Sequence, residues 1–211
     1  YRVFSCDHTF LHGEEVYDDL SNAYRLAIAL GLRPGEIIGL QWGDITDSYI
    51  HIQRSIDEKG RQSHGKNEFA NRFLPQTKYT RAIFASQAAF FGVHTPTERV
   101  CGDYSEITYR FRFKRYCEHN GIDYVTPYEL RHTFASIYKA ALPLWQLDEL
   151  MGHVHSGMTL CVYSHSMAGD SDGLVALLEA ELDRQIERGK KVYCVGRASA
   201  RSAQCTELGT V

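Results

Sequence analysis

Four residues of this sequence have the side-chain types that cleavage of a phosphodiester by a tyrosine requires: Arg33, Arg131, His153 and Tyr163. Arginine forks neutralise the crowded, doubly charged phosphorane that forms when phosphorus is attacked. A free phenol is a poor nucleophile at neutral pH, because its pKa is about 10. Two guanidinium groups and a neighbouring imidazole would help the phenol attack as its proton leaves. The sequence therefore predicts a phosphoryl-transfer site built from distant parts of the chain.

Helices are predicted to position most of these residues. Apolar side chains recur at helical spacing over about residues 14–30, and Gly31 ends that helix. Pro34 suits the first turn of the next helix, which runs roughly over residues 34–40. Arg33 is therefore expected at a tight junction between two helices, beside a helix start whose amide groups attract anions.

A small antiparallel sheet and several more helices complete the predicted fold. Residues 49–56 and 72–74 are predicted as strands, the first from its β-branched and aromatic residues, and Lys66 lies in or near the loop between them. We therefore expect a mainly α-helical fold with a small antiparallel β-sheet (α+β). The other predicted helices cover about residues 80–91, 105–120, 127–141 and 144–151, and an apolar stripe predicts a last helix around residues 174–186.

The size and composition of the chain allow one domain with its own core. The chain has 211 residues, of which 44% are hydrophobic. Its longest apolar stretches are far too short to span a bilayer, and no signal-peptide pattern opens it. Its six cysteines are scattered without a Cys-x-x-Cys pair, which favours a reducing cytoplasm over a disulfide framework.

Metal binding is the rival explanation for the histidines and cysteines of the chain. Neither of the two local clusters offers four ligands at zinc-like spacing. We therefore expect no metal and no other cofactor. The clusters are Cys6 with His8 and His12, and His153 with His155 and Cys161.

The overall charge of the chain argues against a simple nucleic-acid binder. The formal net charge is −3 and the isoelectric point is near 6.4, whereas such domains are commonly basic. Binding depends on local neutralisation of phosphates, however, so a cluster of cations could still contact the DNA backbone, with a solvated helix face as the other interpretation. Its phenylalanines are expected to pack and its cations to face outward. We name Arg110, Arg112, Lys114 and Arg115 the basic cluster.

Three segments resemble the tyrosine recombinase (phage integrase) family, and the resemblance runs from about residue 16 to residue 165. It implies the fold of the catalytic domains shared by tyrosine recombinases and type IB topoisomerases. The segments are Gly31-Leu-Arg-Pro-Gly-Glu36, Thr126-Pro-Tyr-Glu-Leu-Arg-His-Thr-Phe-Ala-Ser136, and Leu150-Met-Gly-His-Val-His155 with Thr159-Leu-Cys-Val-Tyr-Ser-His165.

The resemblance implies a role for each candidate residue. Arg33, Arg131 and His153 would hold the scissile phosphate, and Tyr163 would attack it to give a 3′-phosphotyrosyl enzyme. Lys66 would protonate the departing 5′ oxygen, since the family carries a mobile lysine on a β-hairpin loop. Two other lysines, Lys59 and Lys78, are nearby competitors for that role.

Tyr128 departs from the family pattern. Most members have histidine three residues before the second arginine, where it assists proton transfer. Tyrosine can still hydrogen-bond the phosphate or Arg131, but it is a far weaker acid or base near neutral pH. We therefore expect Tyr128 to line the site and to contribute less acid–base help.

The resemblance implies a site-specific recombinase that integrates or excises a mobile element. Strand exchange needs four active sites on double-stranded DNA, which implies a homotetramer, with accessory DNA-bending proteins as further partners. Two alternatives stay open: a catalytically decayed relic that only binds DNA, and DNA relaxation of the type IB topoisomerase kind. We expect residues 1–13 to end a linker from a preceding DNA-binding domain, residues 14–188 to form the catalytic domain and residues 189–211 to be a tail.

Overall fold

The computed structural model describes residues 2–63, 71–92, 95–153 and 171–207, with side chains up to residue 191. Two of the predicted site residues, Lys66 and Tyr163, lie outside these described residues, as does His155. None of the helices within the described ranges has the length and apolar character needed to cross a membrane.

The described elements are mostly helices, with three two-stranded antiparallel sheets formed by β1–β2, β3–β6 and β4–β5. This confirms the predicted fold class. The helices are α1 Arg2–Ser5, α2 Ser21–Leu30, α3 Pro34–Gly39, α4 Lys78–Phe91, α5 Glu106–His119, α6 Pro127–Tyr138, α7 Leu144–Met151 and α8 Ser171–Glu207, with a 3₁₀ turn at Trp42–Asp44. The strands are β1 His8–Leu11, β2 Glu14–Tyr17, β3 Tyr49–Ile52, β4 Ser55–Ile56, β5 Gln62–Ser63 and β6 Arg72–Pro75.

Helix α2 lies at the centre of the core, and every one of its residues is buried. Its Tyr24 ring packs against Phe113 and Tyr116 of α5, at centroid distances of 4.8 and 4.9 Å. The helix ends at Gly31, which has a left-handed φ of 63°. A Cβ added there would lie 2.7 Å from the ring of Phe134 in α6. Glycine therefore lets the end of α2 approach α6 closely.

The β3–β6 sheet alternates between inner and outer residues. Ile50 and Leu74 are buried and paired, while Tyr49 and Phe73 point outward. Arg72, paired with Ile52, falls on the inner face of β6 and is buried. A charged residue therefore occupies a core position of this sheet.

The predicted helix over residues 14–30 is wrong at its start. Residues 14–17 form β2, and α2 begins only at Ser21. His12 and Gly13 both have positive φ, which closes a tight turn between β1 and β2. The Asp18 side chain then accepts a hydrogen bond from the Leu20 amide (3.0 Å) just before the helix starts. Val16 matched the helical spacing of the later apolar residues without belonging to the helix.

The apolar stripe of the last helix packs against the body of the domain. Leu174, Leu178 and Leu182 are buried in α8, and the hydroxyl of Tyr138 in α6 donates to the Leu178 carbonyl (3.2 Å). The helix continues to Glu207, where we predicted an irregular tail after residue 189. Residues 171–207 contain no proline, so every position in this stretch keeps its backbone donor.

Candidate active site

The carboxylate of Glu36 lies at the centre of the candidate site, and the side chain is almost fully buried. It occupies the first turn of α3, where it accepts a hydrogen bond from the Arg33 amide (2.9 Å) and forms an ion pair with the Arg33 guanidinium (2.7 Å). Arg72 binds it through both terminal nitrogens, at 3.1 and 3.0 Å. Arg131 lies 3.8 Å away. Three guanidinium groups therefore surround one carboxylate.

Burial and the surrounding arginines have opposite effects on Glu36. Burial by itself would raise the pKa of this carboxyl group, but the Arg72 charge and its hydrogen bonds, together with Arg33, lower the pKa below its ordinary value. Glu36 is therefore a carboxylate at neutral pH. Its single negative charge leaves the three arginines with an excess of positive charge, which favours an anionic ligand.

The same three arginines bind the C-terminal end of α7. Arg72 donates from Nε to the Leu150 carbonyl (2.8 Å), Arg131 donates to the Met151 carbonyl, and Arg33 donates to the Gly152 carbonyl (3.2 Å). The last carbonyl groups of a helix have no partner within the helix and carry partial negative charge. Three successive carbonyl groups at the end of α7 thus each accept a hydrogen bond from a different arginine.

Arg131 is the more deeply placed of the two predicted phosphate-binding arginines. Only 4% of its side chain is exposed, and it donates a further hydrogen bond to the Gly31 carbonyl (2.6 Å). Burial and the nearby charge of Arg33 lower the pKa of Arg131 to about 10. It is still charged at neutral pH, and a bound anion would stabilise that charge.

Arg33 is the more accessible of the two. Its side chain is 26% exposed, and it lies at the N-cap of α3, where Pro34 begins the helix. The sequence prediction of an arginine at a tight helix junction is therefore confirmed. Arg33 and Arg131 meet at the same carboxylate although they are far apart in the sequence.

His153 follows directly after the arginine-bound end of α7. Gly152 ends the helix with a left-handed φ of 65°, and the His153 amide donates to the Asp148 carbonyl (2.9 Å). Its ring atom Nδ1 lies 3.0 Å from the Asp148 carboxylate, and 43% of the side chain is exposed. The contact with Asp148 occupies Nδ1, which makes Nε2 the ring atom that can meet a phosphate.

Tyr128 lies in the first turn of α6, one turn before Arg131. Pro127 occupies the first helical position, and Glu129 closes a capping box with the Thr126 amide (2.6 Å). The Tyr128 side chain is 49% exposed. A half-exposed phenol therefore lies one helical turn before the buried arginine, and its role in lining the site stays a prediction.

Two residues of the site, Glu36 and Arg72, were not predicted from the sequence. Both are buried charges that hold other groups in place. The capping pattern of Arg33 with Glu36 three residues later was visible in the sequence. The alternation of β6 also placed Arg72 among inward-facing apolar residues, where a charge needs a partner.

The expectation that all cations of the basic cluster face outward is wrong for Arg112. This side chain points inward and pairs with Asp18 (2.7 Å) and Asp19 (2.5 Å) of the segment before α2. Phe111, expected to pack, is instead 67% exposed, while Phe113 is buried. The physical reason is helical spacing, since Arg112 and Phe113 lie on the side of α5 that faces the core.

The other three cations of the basic cluster are exposed. Arg110 pairs with Glu58 (2.6 Å), and Lys114 lies 4.0 Å from Glu118. Arg115 has no ion-pair partner among the described residues. Contact with DNA through these three stays a prediction. In the described part of the chain, no group of three histidine, cysteine or acidic side chains is arranged to hold a metal ion.

Comparisons with known proteins identify the family of the chain. The profile of the Phage integrase family matches residues 12–169, so the chain belongs to that family. A XerC-like tyrosine recombinase of Caldanaerobacter subterraneus subsp. tengcongensis is 27% identical over 181 residues, which cover 69% of this chain and 45% of the relative. The chain thus spans about half the length of that curated relative.

Solved structures show the same fold. The Tn1549 transposon integrase in complex with a circular intermediate DNA has a TM-score of 0.57 and 18% identity, over 75% of this chain and 61% of that one. The XerA recombinase has a TM-score of 0.52 and 16% identity, over 71% of this chain and 56% of that one. A lambda integrase tetramer bound to a Holliday junction has a TM-score of 0.51 and 19% identity, over 67% of this chain and 43% of that one.

Proposed function

We propose that this protein cleaves and rejoins DNA as a site-specific recombinase, with Tyr163 as the nucleophile. The phenol oxygen attacks phosphorus, the bond to the 5′ oxygen breaks, and a 3′-phosphotyrosyl link forms. A 5′ hydroxyl from the partner strand then reverses the reaction. The covalent link preserves the energy of the broken bond, so the chemistry requires neither ATP nor a metal. Arg33, Arg131 and His153 hold the phosphate, and Lys66 protonates the leaving oxygen.

The observation that carries this proposal is the convergence of Arg33 and Arg131 on one carboxylate beside His153. Three guanidinium groups against one carboxylate give a local excess of positive charge in a chain whose net charge is negative. A dianionic transition state is stabilised by such donors when they are held in place before the reaction. Membership of the Phage integrase family supports the assignment of the tyrosine.

The proposed partners follow from the same chemistry. Exchange between two duplexes needs four active sites, so we infer a homotetramer on double-stranded DNA. We propose the cytoplasm as its location. The solved lambda integrase is a tetramer on a Holliday junction, and the solved Tn1549 integrase belongs to a transposon. These relatives support integration or excision of a mobile element as the biological setting. Accessory DNA-bending proteins complete the proposal.

The test is covalent trapping on a nicked suicide duplex built from the ends of the element that carries this gene. We expect a protein–DNA band that resists SDS with the unaltered protein and disappears with Tyr163→Phe. Tyr124→Phe is the matched control, because Tyr124 is an exposed tyrosine outside the candidate site, and it should trap DNA normally.

Each other outcome is informative. Binding of DNA without a covalent band from the unaltered protein would support the relic interpretation. A band that persists in Tyr163→Phe would assign the nucleophile to another tyrosine. Cleavage that needs no paired sites would favour topoisomerase-like relaxation.

A further inference from the structure

The three arginines around Glu36 are not equivalent. Arg33 and Arg131 belong to the segments that resemble the family's phosphate-binding arginines, whereas Arg72 lies on the inner face of β6. Only 6% of its side chain is exposed, and it donates hydrogen bonds to protein groups: both oxygens of Glu36 and the Leu150 carbonyl. Arg72 is therefore placed to hold the groups that would bind a phosphate.

We propose that Arg72 is a positioning residue that fixes the end of α7, and with it His153, relative to the Glu36 carboxylate that orders Arg33 and Arg131. This inference rests on the proposed function for its catalytic meaning. Its structural content, the fixing of one helix end by one arginine, is independent of any reaction.

The geometry of Arg72 requires a guanidinium group. Its two terminal nitrogens bind the two oxygens of Glu36, at 3.1 and 3.0 Å, while Nε donates to a separate partner, the Leu150 carbonyl, at 2.8 Å. A planar fork can make these three contacts at once. The compact ammonium group of lysine cannot reproduce this arrangement. Lysine at position 72 would keep the charge and lose the bridge.

The position of Arg72 in the chain links two further parts of the site. It is the first residue of β6, which pairs with β3. Through Leu150 it also touches the last turn of α7, three residues before His153. One side chain thus joins the strand, the helix end and the central carboxylate.

Hydrogen exchange of the full chain without DNA tests the structural content. The amides of Gly152 and His153 donate to the Glu149 (3.0 Å) and Asp148 (2.9 Å) carbonyls. In Arg72→Lys we expect the amides of residues 150–153 to exchange at least about tenfold faster, because a hydrogen bond from a charged donor to this turn is lost. Exchange elsewhere in the domain should change much less.

Arg25→Lys is the matched control. Arg25 is another buried arginine that pairs with a carboxylate, Asp7 (2.5 Å), and donates to backbone carbonyls, here those of Val3 (3.0 Å) and Cys6 (2.9 Å). Its substitution should accelerate exchange in residues 2–7 and leave residues 150–153 unchanged. Equal acceleration of residues 150–153 by both variants, or none in Arg72→Lys, would overturn the proposal.

The pH dependence of DNA cleavage tests the catalytic meaning. The charged groups that face Glu36 are Arg33 from the start of α3, Arg72 from β6 and Arg131 from α6, while α7 contributes carbonyls. Removing the Arg72 charge in Arg72→Met lets burial raise the pKa of Glu36, so the carboxylate is lost as pH falls. We expect the cleavage rate relative to the unaltered protein to fall about tenfold per unit of decreasing pH below that raised pKa.

Further variants separate this effect from simple damage. Arg72→Lys keeps the charge, so its relative rate should be reduced at every pH by a similar factor. Adding Glu36→Gln to Arg72→Met should remove the pH dependence. If Arg72→Met does not fold, the hydrogen-exchange comparison of Arg72→Lys with Arg25→Lys still tests whether Arg72 fixes the end of α7. A relative cleavage rate of Arg72→Met that does not vary with pH would refute the catalytic role of Arg72 as a positioning residue. The absence of any covalent product from the unaltered protein would instead refute the proposed function, and the hydrogen-exchange result would still stand.

Discussion

The carboxylate of Glu36 sets the charge balance of the candidate site. It is the acidic group that contacts all three arginines, and it also holds the Arg33 backbone through the start of α3. Without it, three buried or half-buried cations would repel one another in a poorly solvated region. The residue therefore stabilises the fold and keeps two candidate phosphate ligands together.

We expect Glu36→Gln to lower the free energy of unfolding by about 3–5 kcal/mol at neutral pH, since it leaves buried guanidinium groups without their counter-charge. The pKa of Glu36 is lowered in the folded state, so its stabilisation is fully present above its ordinary value of 4.5 and is lost as pH falls through the lowered pKa. Denaturant unfolding at several pH values measures this.

The control for that prediction is Asp103→Asn, because Asp103 forms an exposed ion pair with Arg99. Such pairs contribute little, so its unfolding curve should match that of the unaltered protein. A gap between Glu36→Gln and the unaltered protein that stays constant into strongly acidic solution would show that the Glu36 charge is not the cause.

Tyr128 offers a gain-of-function prediction. The side chain is half exposed at the start of α6, so histidine fits there without repacking the core. Histidine titrates near neutral pH and can exchange protons with the reacting groups, and such catalysis contributes about 10²–10⁴-fold. We expect Tyr128→His to speed covalent trapping by at least about tenfold, measured in single-turnover assays. Tyr124→His, at another exposed position, should leave the trapping rate unchanged. An unchanged rate in Tyr128→His would mean that proton transfer by residue 128 does not limit the reaction.

The functional residues that the sequence could reveal are those that would touch the phosphate. Arg33, Arg131 and His153 lie in recognisable segments, and the structure brings them together. Glu36 and Arg72 act through other residues, so no expectation about phosphate chemistry pointed to them. In the sequence, Glu36 is marked by a capping pattern and Arg72 by a charge at an inward-facing strand position. Both features describe local structure and not reactivity.

At the scale of elements, prediction succeeded where one helix or strand buries one apolar face. The strand pair around β3 and β6 and the helices α4 to α7 follow their periodic patterns to within a few residues. The prediction failed for residues 14–17, because the turn at His12 and Gly13 pairs this segment with β1 as a strand. It also failed beyond residue 189, because the small and polar residues there show no helical periodicity of apolar side chains. Both failures lie near the ends of the chain, where the spacing of apolar residues says little about long-range contacts.

The apolar stripe of helix α8 is buried against its own domain. We expect Leu178→Ala to cost about 2–5 kcal/mol of stability, because a buried side chain is removed from a packed interface. The loss should be independent of protein concentration in thermal unfolding. Arg188→Ala, at an exposed position of the same helix, should have little effect. A melting temperature that rises with protein concentration would show instead that α8 packs between copies.

At the scale of the whole molecule, the distribution of charge bears on the proposed binding of DNA. The net charge is −3, and much of its positive charge is committed to internal pairs such as Arg112 with Asp18 and Asp19. Long-range attraction to DNA is therefore weak, and screening at physiological ionic strength limits it to about 8 Å. Under the proposed function, phosphate binding would therefore depend on short-range contact with the three arginines around Glu36.

We expect non-specific binding of duplex DNA by this chain to depend only shallowly on salt, with a slope of log affinity against log salt of about −3 or less in magnitude, since each phosphate contact contributes about 0.9. Arg115→Ala should reduce that slope by about one contact, because Arg115 is exposed without an ion-pair partner in the described part of the chain. Fluorescence anisotropy at several salt concentrations measures this. Arg184→Ala, whose cation is paired with Glu181, should leave the slope unchanged, and an unchanged slope in Arg115→Ala would remove that residue from the DNA contacts.

The contacts of the three arginines around Glu36 join parts of the chain that are remote in sequence. The bonds from Arg72 span 36 and 78 residues, the bond from Arg131 to Gly31 spans 100, and the bond from Arg33 to Gly152 spans 119. Contacts of such separation form late, since loop closure must precede them. A nascent or proteolysed fragment that ends before α7 lacks the carbonyls that these arginines bind. On the proposed function, an incompletely folded chain would be unable to hold a DNA phosphate, because the three arginines around Glu36 come together only when the last core helices have joined the first.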